Sequence, residues 1–493
     1  MSAISAYTNR RRRQGSRAAG ASREHLRSIG TRLRVDGWIA LLVIAGSLLW
    51  MSQVNPYEKE QKRLILASGI MCAGCAPLLY WMRSFRRSGL PIFQLHCLFY
   101  GICFGFVGFY PDESTLVQFI EEASMQKAQW VTLIALASTV TAFFAGRWLM
   151  RGLRPLRSPL EIPASSVGTM ALVAPMLLGV DLIVEFLKIP YLDQIFTTCW
   201  NFVFFFLSAG WISGKLRGYG LWVYLAFLLP LTLLRGVAAG QIAEFMLVIL
   251  VLGILMLTIK RRVFWGGLIG CCLVFILLQP AKGYFRSVYW HEQREGGMLK
   301  RVQSFARFGF ESIGGKEGGD FYDFQKSIEV SVIRINQLHP LGAVIRDTPS
   351  VKPYEEGVTY LPLVTKWIPR ALWPDKPKED LGHQWAQRYG FLGTSDYTTS
   401  FNLPWLTEMY INFGWKGVVG INLLIGILFA LAHRLYFDRP NGLAGMACAL
   451  TIGIHIIFVE SHMSLLLGEF TIALILLYGF KWLFVLFAEQ RKG

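Results

Sequence analysis

Trp367-Ile-Pro-Arg-Ala-Leu-Trp-Pro-Asp-Lys-Pro377 is a run that no lipid-buried helix could hold. Pro369, Pro374 and Pro377 remove backbone donors and block the helical ladder, and hydrocarbon offers the freed carbonyls no substitute partner. Arg370, Asp375 and Lys376 are too costly to leave facing lipid. Outward from this run a polar segment extends from Lys282 to about Asn402, and apolar sequence flanks it on both sides. The pattern predicts an all-α integral membrane protein with one large polar segment set between two blocks of spanning helices.

The composition points the same way. Of 493 residues, 53% are hydrophobic and 16% charged, with a mean hydropathy of +0.41, whereas soluble domains carry about 25% charged residues. Apolar runs of about 20 residues place spans near 37–53, 64–82, 90–110, 128–146, 167–187, 195–213, 219–234, 239–259, 263–280, 415–433, 442–460 and 464–487. Twelve spans result, nine before the polar segment and three after it. The expected organisation is a disordered Arg-rich tail (1–35), a first bundle (36–281), a loop or cap (282–402), a second bundle (403–488) and a short tail (489–493).

The formal net charge of +17 does not indicate nucleic acid, because the charge is not a surface patch. Nine arginines face the single Glu24 within residues 1–35. Further clusters occur at Arg83/Arg86/Arg87, Arg147/Arg151/Arg154/Arg157, Lys215/Arg217, Lys260/Arg261/Arg262, Arg434/Arg439 and Arg491/Lys492. With twelve spans all of them fall on one side, while Asp112, Glu113, Glu121, Glu122 and the long polar segment fall on the other. This is the positive-inside pattern. It predicts cytoplasmic termini and an extracytoplasmic 282–402 segment, periplasmic in a Gram-negative host. The arginine-rich head is too long for a signal-peptide n-region and is followed by no small-residue cleavage site. It reads as an orientation signal touching anionic headgroups, with a regulatory partner site as the alternative.

All eight cysteines fall in expected spans, so the exported segment has none to pair. Cys72-Ala-Gly-Cys75 has CxxC spacing, but no second pair or histidine set completes a metal site. Packing by small residues accounts for it better. Ionisable residues within spans are few: Asp181, Glu185, Glu244, His455 and Glu460. Asp181 and Glu185 share a helix face that suits a bundle interior or a wet cavity, with a proton or ion relay as the functional alternative, and nearness to the outer water layer explains Glu185 more simply.

Inside the polar segment, 298–310 has the spacing of a membrane-surface helix, and Gly314-Gly-Lys-Glu-Gly-Gly319 is a flexible break. Residues 321–337 predict an amphipathic helix with Ile328, Val332 and Ile335 on one side, ended by Pro340. Residues 349–377 read as extended, and 378–389 as another short helix. Alone this cap has little core, so it is expected to rest on the bundle.

The segment carries sixteen Lys/Arg against fourteen Asp/Glu, so an anion site must come from particular residues. Arg235 is expected in a tight outer turn, Leu233-Leu-Arg-Gly-Val-Ala-Ala-Gly-Gln241, where its planar fork suits a phosphate oxygen or a headgroup. Arg334, Arg370 and Lys376 are further candidates, the last two preorganised by the prolines beside them; surface salt bridges are the commoner fate of any one of them. Tyr354, Tyr360, Trp367 and Trp373 suit stacking on sugar faces or packing in the cap. Glu408, expected half-buried where the chain re-enters the membrane, suits a general base or a structural partner for an arginine. His339 and His383 are alternative bases. Nucleotide loops, HExxH and nucleophile elbows do not occur. The first outer turn, Asn55-Pro-Tyr-Glu-Lys-Glu60, is too short for an acidic metal motif, which favours a metal-independent mechanism without cofactor.

Three motifs carry a resemblance: Gly357-Val-Thr-Tyr360, Ile368-Pro-Arg-Ala-Leu-Trp-Pro-Asp-Lys-Pro377 and Glu408-Met-Tyr-Ile-Asn-Phe-Gly-Trp-Lys-Gly417. Together with the Arg235-Gly236 pair, they resemble the oligosaccharide repeat-unit polymerases, the Wzy-type O-antigen and exopolysaccharide polymerases. By motif the likeness covers about 230–435. It implies a GT-C-like glycosyltransferase of the bacterial inner membrane. Its donor would be a glycan on undecaprenyl diphosphate and its acceptor a single lipid-linked repeat, with a chain-length regulator and a flippase as further partners. On that reading Arg235, Arg334, Arg370 and Lys376 are expected to hold the diphosphates, with Arg370 and Glu408 catalytic, Glu408 as general base, and Trp373 and Tyr360 are expected to bind substrate. The rival readings are an O-antigen-type ligase, a transporter of lipid-linked oligosaccharide, and a scaffold subunit of an export complex.

Overall fold

The computed structural model describes residues 61–83, 89–109, 120–187, 192–238, 242–286, 300–301, 303–307, 324–365, 373, 380–396 and 401–490. The expected first span (37–53), the arginine-rich head, the Gly314–Gly319 break, Arg370 and Lys376 lie outside these residues. Every regular element among the described residues is helical, and eight helices are long and apolar enough to cross a membrane. They are Lys62–Arg83, Ile92–Phe109, Glu122–Leu149, Ala164–Val184, Gln194–Ile212, Gly218–Gly236, Trp405–Phe437 and Met463–Trp482. Shorter apolar helices cover Trp265–Gln279 and Gly442–Gly453.

Between apolar helices in lipid, packing and buried hydrogen bonds supply the contact energy. The Glu122–Leu149 and Trp405–Ala432 helices form the most extensive such pair. A Cβ at Gly426 would collide with the Thr139 carbonyl, so glycine is what lets the two backbones meet. Beside it, Thr139 Oγ1 donates to Asn422 Oδ1 across the pair at 2.8 Å.

The basic residues collect at one end of the bundle. There Arg147 pairs with Asp438, and Arg434 donates to the Leu153 and Arg151 carbonyls at 2.6 Å each. Arg261 lies 5.5 Å from the Trp81 ring centre. Leu90 N donates to Phe437 O (2.9 Å) and Leu156 N to Leu435 O (3.0 Å), stitching the turns together.

Short helices gather at the opposite end: Phe324–Ile335, Leu338–Asp347, Leu361–Thr365 and Leu381–Arg388. They share one continuous core with the long helices. Leu341 and Val344 are wholly buried, and Gln337 N donates to Cys103 O at 3.0 Å. Phe305, in the helical stretch 303–307, is buried edge-on against Phe285 at 5.2 Å.

Four expectations change. The 349–377 run, read as extended, is helical in part, with a 3-10 turn at Val358–Tyr360 and a short helix at Leu361–Thr365. Pro340 does not stop a helix; it lies in the first turn of Leu338–Asp347, where a proline removes no needed donor. The helix expected at 415–433 is preceded by further turns from Trp405, joined to it through a kink at Gly414 (φ 57°, ψ −142°). The run 442–460 is not a continuous span. Its helix stops at Gly453 after 12 residues, about 18 Å of rise against about 30 Å of hydrocarbon. A 3-10 turn, His455–Ile457, and an irregular stretch to His462 complete it. Irregular backbone at that depth is tolerated where protein or a cavity surrounds it.

Candidate functional site

Glu408 lies in the first turn of the Trp405–Ala432 helix, and its backbone amide donates to Pro404 O at 2.8 Å. Its carboxylate is wholly buried rather than half-buried. Oε1 accepts from the Thr359 hydroxyl at 2.9 Å, and Oε2 accepts from the Met463 backbone amide at 2.7 Å. One helical turn on, Asn412 Nδ2 donates to Thr359 Oγ1 and to Glu408 O, both at 2.7 Å. Asn412 Oδ1 accepts from Gly357 N at 2.8 Å. Three chain segments, 357–360, 408–412 and the start of the Met463 helix, are thus tied by one carboxylate and one amide. A buried carboxylate is tolerated when donors of this kind surround it.

Tyr360 joins this cluster. Its ring stacks on Phe413 at 6.3 Å between centres. Burial pushes its phenol well above the ordinary range, and the neighbouring Glu408 charge adds to that. His96 packs edge-on against Tyr100 at 5.2 Å and against Trp405, the first residue of the Glu408 helix, at 4.9 Å.

The irregular segment 454–462 links these groups. His96 Nδ1 meets Ile457 O at 3.3 Å. Glu460 accepts from Arg334 Nη1 at 3.3 Å. Arg334 thus faces an acidic partner, with 42% of its side chain still exposed.

Arg235 is not in a turn. It lies in the last helical turn of Leu229–Ala238 and is ion-paired with Asp181. Asp181 is buried, and Thr197 Oγ1 donates to its other oxygen at 3.3 Å. Asp181 therefore points inward, as one of the alternatives for it required, and its charge is matched by a guanidinium that is itself only 16% exposed.

The remaining candidates divide. Trp373 is exposed. His339 Nδ1 lies 3.0 Å from Asn336 Nδ2, while Asn336 Oδ1 accepts from Leu338 N at 2.9 Å just before that helix begins. His383 is buried in the Leu381–Arg388 helix, two residues from Trp385, whose indole donates to Phe401 O at 3.1 Å. The structure thus brings Glu408 and Tyr360 together and sets Arg334 near them through Glu460, while Arg235 belongs to a separate helix pair.

Two features escaped the sequence reading. Thr359 and Asn412 sit inside the motifs Gly357–Tyr360 and Glu408–Gly417, so the signal was present. The other is an ionic knot on the cap. Asp347 accepts from Arg346 Nε at 2.7 Å and Lys352 Nζ at 2.6 Å, and Arg388 pairs with Glu355. Burial works against the Asp347 carboxylate, yet the bonds and charges of Arg346 and Lys352 outweigh it and hold its pKa below the ordinary value. Arg346-Asp347 and Lys352 were legible as a local charge pattern.

Among the described residues no three His, Cys, Asp or Glu side chains converge to hold a metal ion. No protein-family model, curated protein or solved structure matches this chain.

Proposed function

We propose that this α-helical membrane protein is a glycosyltransferase of about twelve spans and GT-C-like build that joins lipid-linked oligosaccharide repeats. It would act on undecaprenyl-diphosphate substrates at the outer face of a bacterial inner membrane, extending a donor glycan by one acceptor repeat. The observation that carries the reading is the gathering of Glu408, Thr359, Tyr360, Asn412 and Arg334 at the end of the bundle opposite its basic end. Two of the three motifs behind the resemblance to repeat-unit polymerases thus meet in one place. Arg235, Arg334, Arg370 and Lys376 would hold the diphosphates and stabilise the charge that develops on the leaving group. Tyr360 and Trp373 would orient the sugars. Glu408, already accepting two hydrogen bonds, would position the motif segments against each other.

Gel separation of surface glycan from a deletion strain tests the reading. Loss of the ladder with single repeats still attached supports a polymerase. An unchanged ladder refutes it, and long unattached chains assign a ligase instead. A second reading, transport of lipid-linked oligosaccharide, draws on the helix broken at Gly453, since transporters often build sites from interrupted helices. It requires single repeats and ladder to vanish from the surface together.

A further inference from the structure

A cavity of about 140 Å³ opens between the Leu192–Ile212 and Met463–Gln490 helices, apart from the Glu408 cluster. It is lined by Gln194, Thr197, Thr198, Asn201, His455, Glu469 and Ile472. The volume holds several waters, since one needs about 10–15 Å³ by this measure. Gln194, Thr197, Thr198 and Asn201 stand at i, i+3, i+4 and i+7, one face of a helix whose next turns are Phe202-Val-Phe-Phe-Phe-Leu207. Such a stripe, about two turns or 10 Å deep, is costly against lipid and marks a polar ligand or a water-filled cleft.

His455 faces this stripe from the 3-10 turn just past the helix break at Gly453. Its Nδ1 lies 2.7 Å from Glu469 Oε2. With Nδ1–H given to that carboxylate, Nε2 keeps a lone pair, and the ring is held in one orientation. Neutral hydroxyls and amides opposite an oriented imidazole suit a hydroxyl-rich ligand. The Asp181–Arg235 pair adjoins the cleft, because Thr197 both lines the cavity and donates to Asp181.

We propose that this cleft binds the terminal sugar of the acceptor glycan and that His455, oriented by Glu469, takes the proton from its attacking hydroxyl. The inference rests on the polymerase reading above and sharpens it. The hydroxyl oxygen bonds to the anomeric carbon of the donor. The bond from that carbon to the diphosphate oxygen breaks, its electron pair staying on the diphosphate beside Arg235. The hydroxyl proton passes to Nε2 of His455. Glu408 is less suited to that step, since its oxygens already accept from Thr359 and Met463 and the side chain is wholly buried.

The test uses full-length protein in proteoliposomes, supplied with lipid-linked repeats extracted from the deletion strain. His455→Gln is expected to lower kcat by about 10²–10⁴-fold with KM little changed. Asn201→Ala and Thr198→Val are expected to raise KM and keep kcat, the signature of lost substrate binding. Glu469→Gln should lower kcat less than His455→Gln does, and it carries the test if the histidine variant fails to fold. Near-wild-type kcat in His455→Gln, or in Glu469→Gln where that variant stands in, overturns the inference while the polymerase reading survives. A wild-type protein that makes no polymer overturns both.

Discussion

Asp181 and Arg235 are 54 positions apart in sequence, and neither explains itself alone. An arginine near the end of a span reads as a headgroup or phosphate ligand, and an aspartate in a span as a group turned into a bundle interior or a wet cavity. Paired, each neutralises the other's desolvation. Removing one partner of a buried pair strands a charge and costs about 3–5 kcal/mol, whereas replacing both by apolar residues is close to neutral. Arg235→Ala should therefore lower the thermal midpoint of the purified protein sharply, and the double variant Arg235→Leu/Asp181→Leu should recover most of that loss. A double variant no more stable than the single one would mean that the pair is not what holds Arg235.

Two elements at the end that carries the short helices depend on special local chemistry. At Gly414 the backbone sits at φ 57°, ψ −142°, a conformation that costs a side-chain-bearing residue about 1–3 kcal/mol. A Cβ there would also meet the Tyr354 hydroxyl at 2.5 Å. Gly414→Ala should destabilise the protein in a thermal melt, and adding Tyr354→Phe should restore only a small part, since it removes the hydroxyl but leaves the ring carbons at 2.9 and 3.1 Å and the positive φ. The Leu338–Asp347 helix ends on Asp347, whose carboxyl is held below its ordinary pKa by Arg346 and Lys352 after they overcome the effect of burial. A depressed carboxylate pKa contributes stability that is present above the unfolded value of about 4 and is lost as pH falls through the folded value. The protection factors of the Val351 and Lys352 amides, whose NH groups donate to Asp347 O at 2.7 and 2.9 Å, should fall at low pH once intrinsic exchange is divided out. In Asp347→Asn that change in protection with pH should disappear.

At these two scales the sequence was only partly legible. Hydropathy located the long helices because twenty apolar residues admit few other structures, and charge placed the basic end. It could not see the break at Gly453, because Ile454-His-Ile-Ile-Phe-Val459 continues the apolar run and nothing local says that the helix stops. Pro340 was misread because a proline that ends one helix and one that starts the next look alike without the intervening turn. Glu408 and Tyr360 were recognised by motif, yet the degree of burial of Glu408 and its bond to the Met463 amide are long-range facts. The His455–Glu469 contact is of the same kind: His455 stood out as an ionisable group in an apolar run, and its partner did not.

For the whole molecule, the two ends of the bundle differ in chemistry, and that difference makes an orientation testable. Arg147, Arg151, Arg434 and Arg261 lie at one end; the short helices, the Glu408 cluster and the His455 cleft lie at the other. Positive charge near span ends is retained in the cytoplasm, so the site end should face outward, where flipped lipid-linked glycans reside. Val351 and Leu153 are exposed at the site end and the basic end respectively. In a background lacking the native cysteines, Val351→Cys should react with a membrane-impermeant maleimide on intact spheroplasts. Leu153→Cys should react only after lysis. The reverse pattern would put the cleft in the cytosol, where its substrates would be unflipped glycolipids, and both the polymerase reading and the role given to His455 would fail together.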